Sequence, residues 1–418
     1  MTNSSETLPL PAQTSFSWRR FLALAGPGIV VMLADTDAGS IITAAQSGAQ
    51  WGYHLLLLQL VLIPILYIVQ ELTVRLGIVT GHGHAALIKQ HFGRFWAWVS
   101  VVTLLVACVG ALLTELSGLA GVGAMFGVPA WVTMTLTVAT LTTMAITGNY
   151  LTVERIALAI GAFELAFLFV AWWANPGFAE LATQSISIPI GDPKYLYLVS
   201  ANIGAVIMPW MVFYQQSAVV EKKIGIADLG VARADTAFGS ILTQFIMAAV
   251  LIASAAALSH GKSDVSLDTV QQIADAFTPV LGEQAGRLVF AMGVSGAALV
   301  AAIVVSLTAS RTLGELLEYP HALDYPLREA PWFYAVYALV LIIAALFVLS
   351  GANLVSLSVG VQVMNALLLP IVLGFLFLLA QRLPAPYTLK GKSAIAVAII
   401  MILTVALGLY SGITGIWN

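Results

Sequence analysis

Eleven long, mostly apolar stretches recur along nearly the whole chain, and they leave few architectures open. They lie near residues 23–46, 53–76, 95–124, 129–148, 154–175, 195–220, 235–258, 286–311, 331–350, 353–381 and 393–416. Each is long enough to cross a hydrocarbon core of about 30 Å as a helix. In lipid the backbone must satisfy its own hydrogen bonds, which helices of this length do. Composition agrees: 60% of residues are hydrophobic and 9% charged, against about 25% charged in soluble domains. The chain reads as an all-α polytopic membrane protein.

Basic residues favour the cytoplasmic side of a membrane, and their distribution sets the orientation. With the N-terminus inside, that side receives Arg19, Arg20, Arg75, Lys89, Arg94, Arg155, Lys222, Lys223, Arg233, Arg311, Arg328, Arg382, Lys390 and Lys392. Only Lys194, Lys262 and Arg287 fall outside. The odd number of spans then puts the C-terminus outside. Residues 1–18 are polar, rich in Ser, Thr and Pro, and lack the basic start of a signal peptide. They are expected to be a flexible cytoplasmic tail. The expected location is the cell membrane, of bacterial inner-membrane type.

Several function classes drop out. The single cysteine, Cys108, cannot form an internal disulfide and reads as a small core hydrophobe. There is no glycine-rich nucleotide loop, which argues against an ATP-driven pump. No nucleophile–base–orienter set or zinc spacing is visible, so an enzyme is not expected. Nucleic acid is not among the expected partners.

Two spans carry polar or helix-breaking residues at mid-depth. Span 1 contains "LADTDAGS" and span 6 contains "GAVIMPW". Pro209 lacks an N–H and frees the carbonyl one turn back, near Ala205. Gly39 and Gly204 offer similar local freedom. The breaks stand five spans apart, as in transporters built from inverted repeats, whose sites lie where broken helices meet. The pattern predicts a 5+5 core over residues 19–381, with repeats near 23–175 and 195–381, and an additional helix in 382–418. Asp37 at such a break implies a cationic substrate, because an unpaired carboxylate in the membrane is costly. Asp35 is two residues away and cannot share its helical face; it flanks the break or faces water. Met208, elsewhere a core filler, becomes a soft ligand for Mn²⁺ or Fe²⁺ beside Pro209.

The stretch "GPGIVVMLADTDAGSIITAAQSGAQWGYHLLLLQL" resembles the opening of NRAMP-family divalent-metal transporters, which share the LeuT-type fold. "VQELTVRLGIVTGHGHAALIKQHFG" resembles the family's second span and following loop. The resemblance is strongest over 23–92 and thins after about 220. It implies a divalent-cation site from Asp37, Ser40, the Ala205 carbonyl, Met208 and Gln362. It places Asp35, Gly39, Gly204, Pro209, Trp210 and Glu115 around that site or along the path. No cofactor is implied beyond the transported ion, and the working unit is a single chain in the bilayer.

The departures carry information too. The family's asparagine at the first break is Ser40, and the histidine after its proline is Trp210. Its acidic pair in span 3 survives only as Glu115, with Gly118 at the second place, and span 9 has no charge. The missing groups are those a proton wire uses, so weak or absent proton coupling is expected. A shorter Ser40 implies a roomier site, which suits Mg²⁺ retaining several waters. These features resemble the magnesium-transporting branch of the family, with Mn²⁺ as a second cargo because of Met208. The alternatives are a conventional proton-coupled Mn²⁺/Fe²⁺ importer and a sodium-coupled organic-solute symporter on the same scaffold. Glu164 reads as a structural acid, Asn202 and Asn365 as helix–helix contacts, and Glu71 with Arg75 as an i, i+4 ion pair. His82 and His84 are left outside the site.

Overall fold

A computed structural model describes residues 26–148, 150–258, 267, 269–275, 282–351 and 353–417. The expected 1–18 tail, Arg19, Arg20 and most of the 259–285 connection lie outside the described residues. All eleven expected spans are present as helices. The first is a broken pair, α1 (Pro27–Asp35) and α2 (Ala38–Trp51), bent by 49°. Then come α3 (Leu56–Thr80), a short α4 (His84–Phe92), α5 (Arg94–Met125) and α6 (Ala130–Thr147). The fifth span is α7 (Tyr150–Gly161), a tighter 3₁₀ turn over Ala162–Leu165, and α8 (Ala166–Trp173). After α9 (Phe178–Ile186), the sixth span is split into α10 (Pro193–Val206) and α11 (Pro209–Glu221). The remainder is α12 (Leu229–Leu258), a short α13 (Val270–Asp275), α14 (Glu283–Leu317), α15 (Pro331–Val348), α16 (Leu354–Ala380) and α17 (Gly391–Trp417).

Local chemistry accounts for both breaks. Asp37 is extended and caps α2, its Oδ1 accepting the Ser40 N–H at 2.5 Å. A carboxylate is a preferred N-cap because it satisfies a helix-end donor. In span 6, Met208 is extended, as a residue before proline tends to be, and Pro209 occupies the first position of α11. Gly39 and Gly204 do not make the breaks, contrary to the sequence expectation; both sit inside regular helix. They are where another helix comes close. A Cβ on Gly39 would lie 2.5 Å from Gln362 Nε2, and one on Gly204 would strike the Gln362 carbonyl oxygen.

The pair α10–α11 runs through the middle of the bundle, 94% buried in its most apolar window. It packs on α16, α17 and α3, while α12 lies along α1, α2 and α3. By contrast α6 and α17 are 22% buried and turn residues such as Trp131 and Ile402 outward, as lipid-facing helices do. Basic residues assigned to the cytoplasm meet at one end. Arg75 and Arg233 both pair with Glu71, Lys222 with Glu154, and Arg311 with Glu221. Arg287, assigned to the opposite face, donates to the Met125 carbonyl and Gln271 and pairs with Glu283 at 3.7 Å.

Three elements escaped the sequence reading. The helices α4 and α9 have nine residues each, too short to register as spans. The 3₁₀ turn sits inside the apolar run "GAFELAF", which reads as uninterrupted helix.

Candidate functional site

The two breaks and α16 converge. Ser40 Oγ donates to the Ala205 carbonyl oxygen at 3.1 Å, joining the start of α2 to the end of α10. That carbonyl is the one whose helical partner would be the absent N–H of Pro209. Asp37 Oδ1 is taken by Ser40 N–H, whereas Oδ2 is buried and makes no well-formed hydrogen bond, with the Glu115 and Gln362 side chains as its polar neighbours. Gln362 lies beside Gly39 and faces Asp37. Its oxygen accepts from Asn365 Nδ2 at 2.9 Å, so its amide nitrogen points into the site. Asn365 is thus the partner of Gln362 on the same helix, not a contact between helices as the sequence suggested. Asn202 does bridge helices, contacting Gln59 at 2.6 Å and Ser47 at 2.8 Å.

Met208 and Trp210 form a unit of their own. The indole N–H of Trp210 donates to Met208 Sδ at 3.3 Å, and both side chains are fully buried. Glu115 sits behind the first break: Oε2 accepts from the Ala38 N–H at 3.1 Å and Oε1 from the Thr114 hydroxyl at 2.9 Å. Gly118 leaves room for Ala38, whose methyl would lie 2.6 Å from a Cβ at that position. Asp35 does not join Asp37. It ends α1 and accepts from the Thr243 hydroxyl on α12 at 3.4 Å.

Asp37, Ser40, Ala205, Met208 and Gln362 are each at most 1% exposed, so the site is closed to both sides. On the cytoplasmic side, Asp235 Oδ2 accepts the N–H groups of Gly28 at 2.8 Å and Gly26 at 3.3 Å, tying down the start of α1. On the opposite side a cavity of about 410 Å³ reaches inward, lined by Gln46, Trp51, Lys194, Tyr197 and Ser356. The site residues are thus buried, and the start of α1 is tied to α12.

Sequence reasoning missed Glu164 as a neighbour of the break. It is fully buried and faces Thr36. Thr36 and Thr243, whose hydroxyl oxygens stand 2.8 Å apart, were missed as well. No sequence spacing links spans 1, 5 and 7, so only the tertiary fold reveals this group. His84 stays outside the site. Nδ1 donates to Gln216 Oε1 at 2.8 Å, and burial lowers the imidazole pKa to about 4.

A buried carboxylate between two broken helices invites comparison with known proteins. Residues 28–414 match the family model described as natural resistance-associated macrophage protein-like, Nramp. The chain belongs to the Nramp family. The divalent metal cation transporter MntH of Mesorhizobium japonicum is 27% identical over 72% of this chain and 69% of its own length. The MntH of Brucella suis is 25% identical over 95% of this chain and 90% of its own. A crystal structure of a mutant Eremococcus coleocola manganese transporter superposes with a TM-score of 0.79 at 19% identity, covering 99% of this chain and 91% of that one. The nucleobase-cation symporter MHP1 shares the fold more distantly, with a TM-score of 0.57 at 14% identity over 94% and 91% of the two chains. The fold is therefore LeuT-type, shared by this Nramp chain and its structural neighbours, and the protein is a multi-pass membrane protein and not an enzyme.

Proposed function

We propose that this Nramp protein moves divalent metal ions across the membrane by alternating access, with Mg²⁺ and Mn²⁺ as cargo and little or no proton coupling. The observation that carries the reading is Asp37 Oδ2, a buried carboxylate oxygen that makes no well-formed hydrogen bond where two broken helices meet. A cation there gains the full charge of one carboxylate, with neutral oxygens from Ser40 and Ala205 close by. Among the described residues no three His, Cys, Asp or Glu side chains gather to hold a metal ion. A site with so few charges suits an ion that keeps much of its water, as Mg²⁺ does.

Two further features favour the hard cation. One lone pair of Met208 sulfur is engaged by Trp210, which weakens the soft donor beside the second break. Gln362 turns nitrogen toward Asp37, so it meets a bare ion only after its amide rotates, whereas it serves a metal-bound water without that change. Mn²⁺ remains a cargo because Met208 retains a second lone pair. Glu115, Asp35 and Glu164 lie beside the first break, but the positions that would relay a proton further lack titrating groups. Trp210 does not titrate, Gly118 has no side chain, and α15 has no charged residue.

The test is flux in liposomes holding a magnesium dye and a pH dye. Mg²⁺ and Mn²⁺ should enter without lumenal acidification. Mn²⁺ uptake with matching proton entry and no Mg²⁺ uptake would overturn the proposal.

A further inference from the structure

We infer that Asp35, Thr36, Thr243 and Glu164 form a second cation site, beside the first break, that takes a hard divalent ion. Four groups on three spans meet there. Asp35 and Thr36 come from the end of α1, Thr243 from α12, and Glu164 from the 3₁₀ turn between α7 and α8. The hydroxyls of Thr36 and Thr243 are 2.8 Å apart, and Thr243 reaches Asp35 Oδ2 at 3.4 Å. Glu164 turns its carboxylate toward the Thr36 hydroxyl, with Asp37 and then Asp35 as its charged neighbours.

The donor count points to a ligand. Thr36 also faces the Met32 carbonyl at 3.2 Å, so two hydroxyl protons must serve that carbonyl, the contact between the hydroxyls, and two carboxylates. A hydroxyl has one proton to give. Asp35 Oδ1 accordingly makes no hydrogen bond, and Glu164 has only the Thr36 hydroxyl beside it and no well-formed bond, although Asp35 is 1% exposed and Glu164 fully buried. No Lys, Arg or His among the described residues pairs with either acid. Two buried carboxylates set against one pair of hydroxyls, ionised and without a counter-charge, cost several kcal/mol each. A divalent cation removes that cost.

All donors are oxygens, two carboxylate and two hydroxyl. Such a set selects Mg²⁺ or Ca²⁺ over softer metals, and with two charged ligands the ion keeps waters. The 3₁₀ turn has a clear purpose in this setting. It interrupts the fifth span at Glu164, and α14 packs against that turn from outside. The site joins α1 to α12 and to the fifth span, the same elements that must separate if the cytoplasmic end of α1 is to open.

The inference does not depend on which ion the Asp37 site carries. The experiment is a count of Mg²⁺ per chain after equilibrium dialysis of the purified full-length protein, with elution profiles confirming that each variant is folded. Asp37→Ala should still bind one Mg²⁺, and the double variant Asp37→Ala with Glu164→Gln should bind none. Thr243→Val, which preserves shape and removes a hydroxyl, should weaken the retained ion about fivefold. Asp37→Ala binding no ion, or Glu164→Gln binding as many as wild type, would overturn the inference. So would loss of the retained Mg²⁺ in excess Na⁺, since the occupant would then be monovalent. Absent Mg²⁺ flux with a retained ion in Asp37→Ala would sink the transport proposal and leave this one standing.

Discussion

Ser40 donates its hydroxyl proton to the carbonyl of Ala205 across 3.1 Å, so the two broken helices are fastened to each other at the level of Asp37. This contact uses the carbonyl that Pro209 leaves without a helical partner. A serine at the first break thus serves as a clasp between repeats as well as a candidate ligand. Ser40→Ala removes the clasp and should slow Mg²⁺ and Mn²⁺ uptake about fivefold, from a bond worth about 1 kcal/mol. Ser40→Asn should shift preference toward Mn²⁺, read as the ratio of the two initial rates in liposomes.

Asp37→Asn keeps the shape of the capping side chain and removes its charge. Uptake of both ions should fall to the level of empty liposomes, while elution and thermal stability stay near wild type. Retained uptake would mean that another carboxylate holds the ion.

Met208 and Trp210 can be separated by substitution. Trp210→Phe leaves an aromatic ring but takes away the N–H bound to sulfur. Mn²⁺ affinity should then rise while Mg²⁺ affinity stays constant. Met208→Ala should lower Mn²⁺ transport more than Mg²⁺ transport, and equal losses would mean that the thioether only packs.

The two glycines against Gln362 predict unequal costs. Gly39→Ala meets side chains, Gln362 Nε2 at 2.5 Å and Thr114 Oγ1 at 2.9 Å, which can give way. Gly204→Ala meets the main chain of α16, which cannot. Overpacking of this kind costs about 1–3 kcal/mol, so Gly39→Ala should fall near the lower end and Gly204→Ala at or beyond the upper. Melting curves in detergent would rank them.

His84 gives the fold a pH dependence. Its pKa is lowered to about 4 by burial, against 6.5 when exposed, and its Nε2 is buried without a partner. The unfolded chain therefore binds a proton here that the folded chain refuses. Stability should be insensitive to this group above pH 6.5 and decline as pH falls from 6.5 toward 4, by on the order of 3 kcal/mol. His84→Gln should flatten that part of the melting-temperature profile.

Hydropathy made the eleven spans and their alternation legible, because length and apolar character suffice to define a crossing helix. The interruption at Pro209 was legible for the same reason: a missing N–H has one local consequence. Gly39 and Gly204 were assigned freedom when their role is proximity, and proximity to Gln362 is a fact about α16 that no local window contains. Asn365 stands three residues after Gln362, a spacing that already puts the two on one face. Its role could have been read from that spacing. Glu164 could not, since its neighbours come from spans 1 and 7.

Asp235 holds the start of α1 through two main-chain N–H groups, those of Gly26 and Gly28. Every residue except proline supplies such a donor, but a Cβ at Gly28 would stand 2.6 Å from Asp235 Oδ2, and Gly26 has a φ of 152°, so the α1 half of the latch depends on glycine at both places. The genetic handle on this closure therefore lies in those two glycines and in Asp235 on the opposing helix. Selection for faster or slower release at the cytoplasmic face would register at these three positions, away from the break at Asp37.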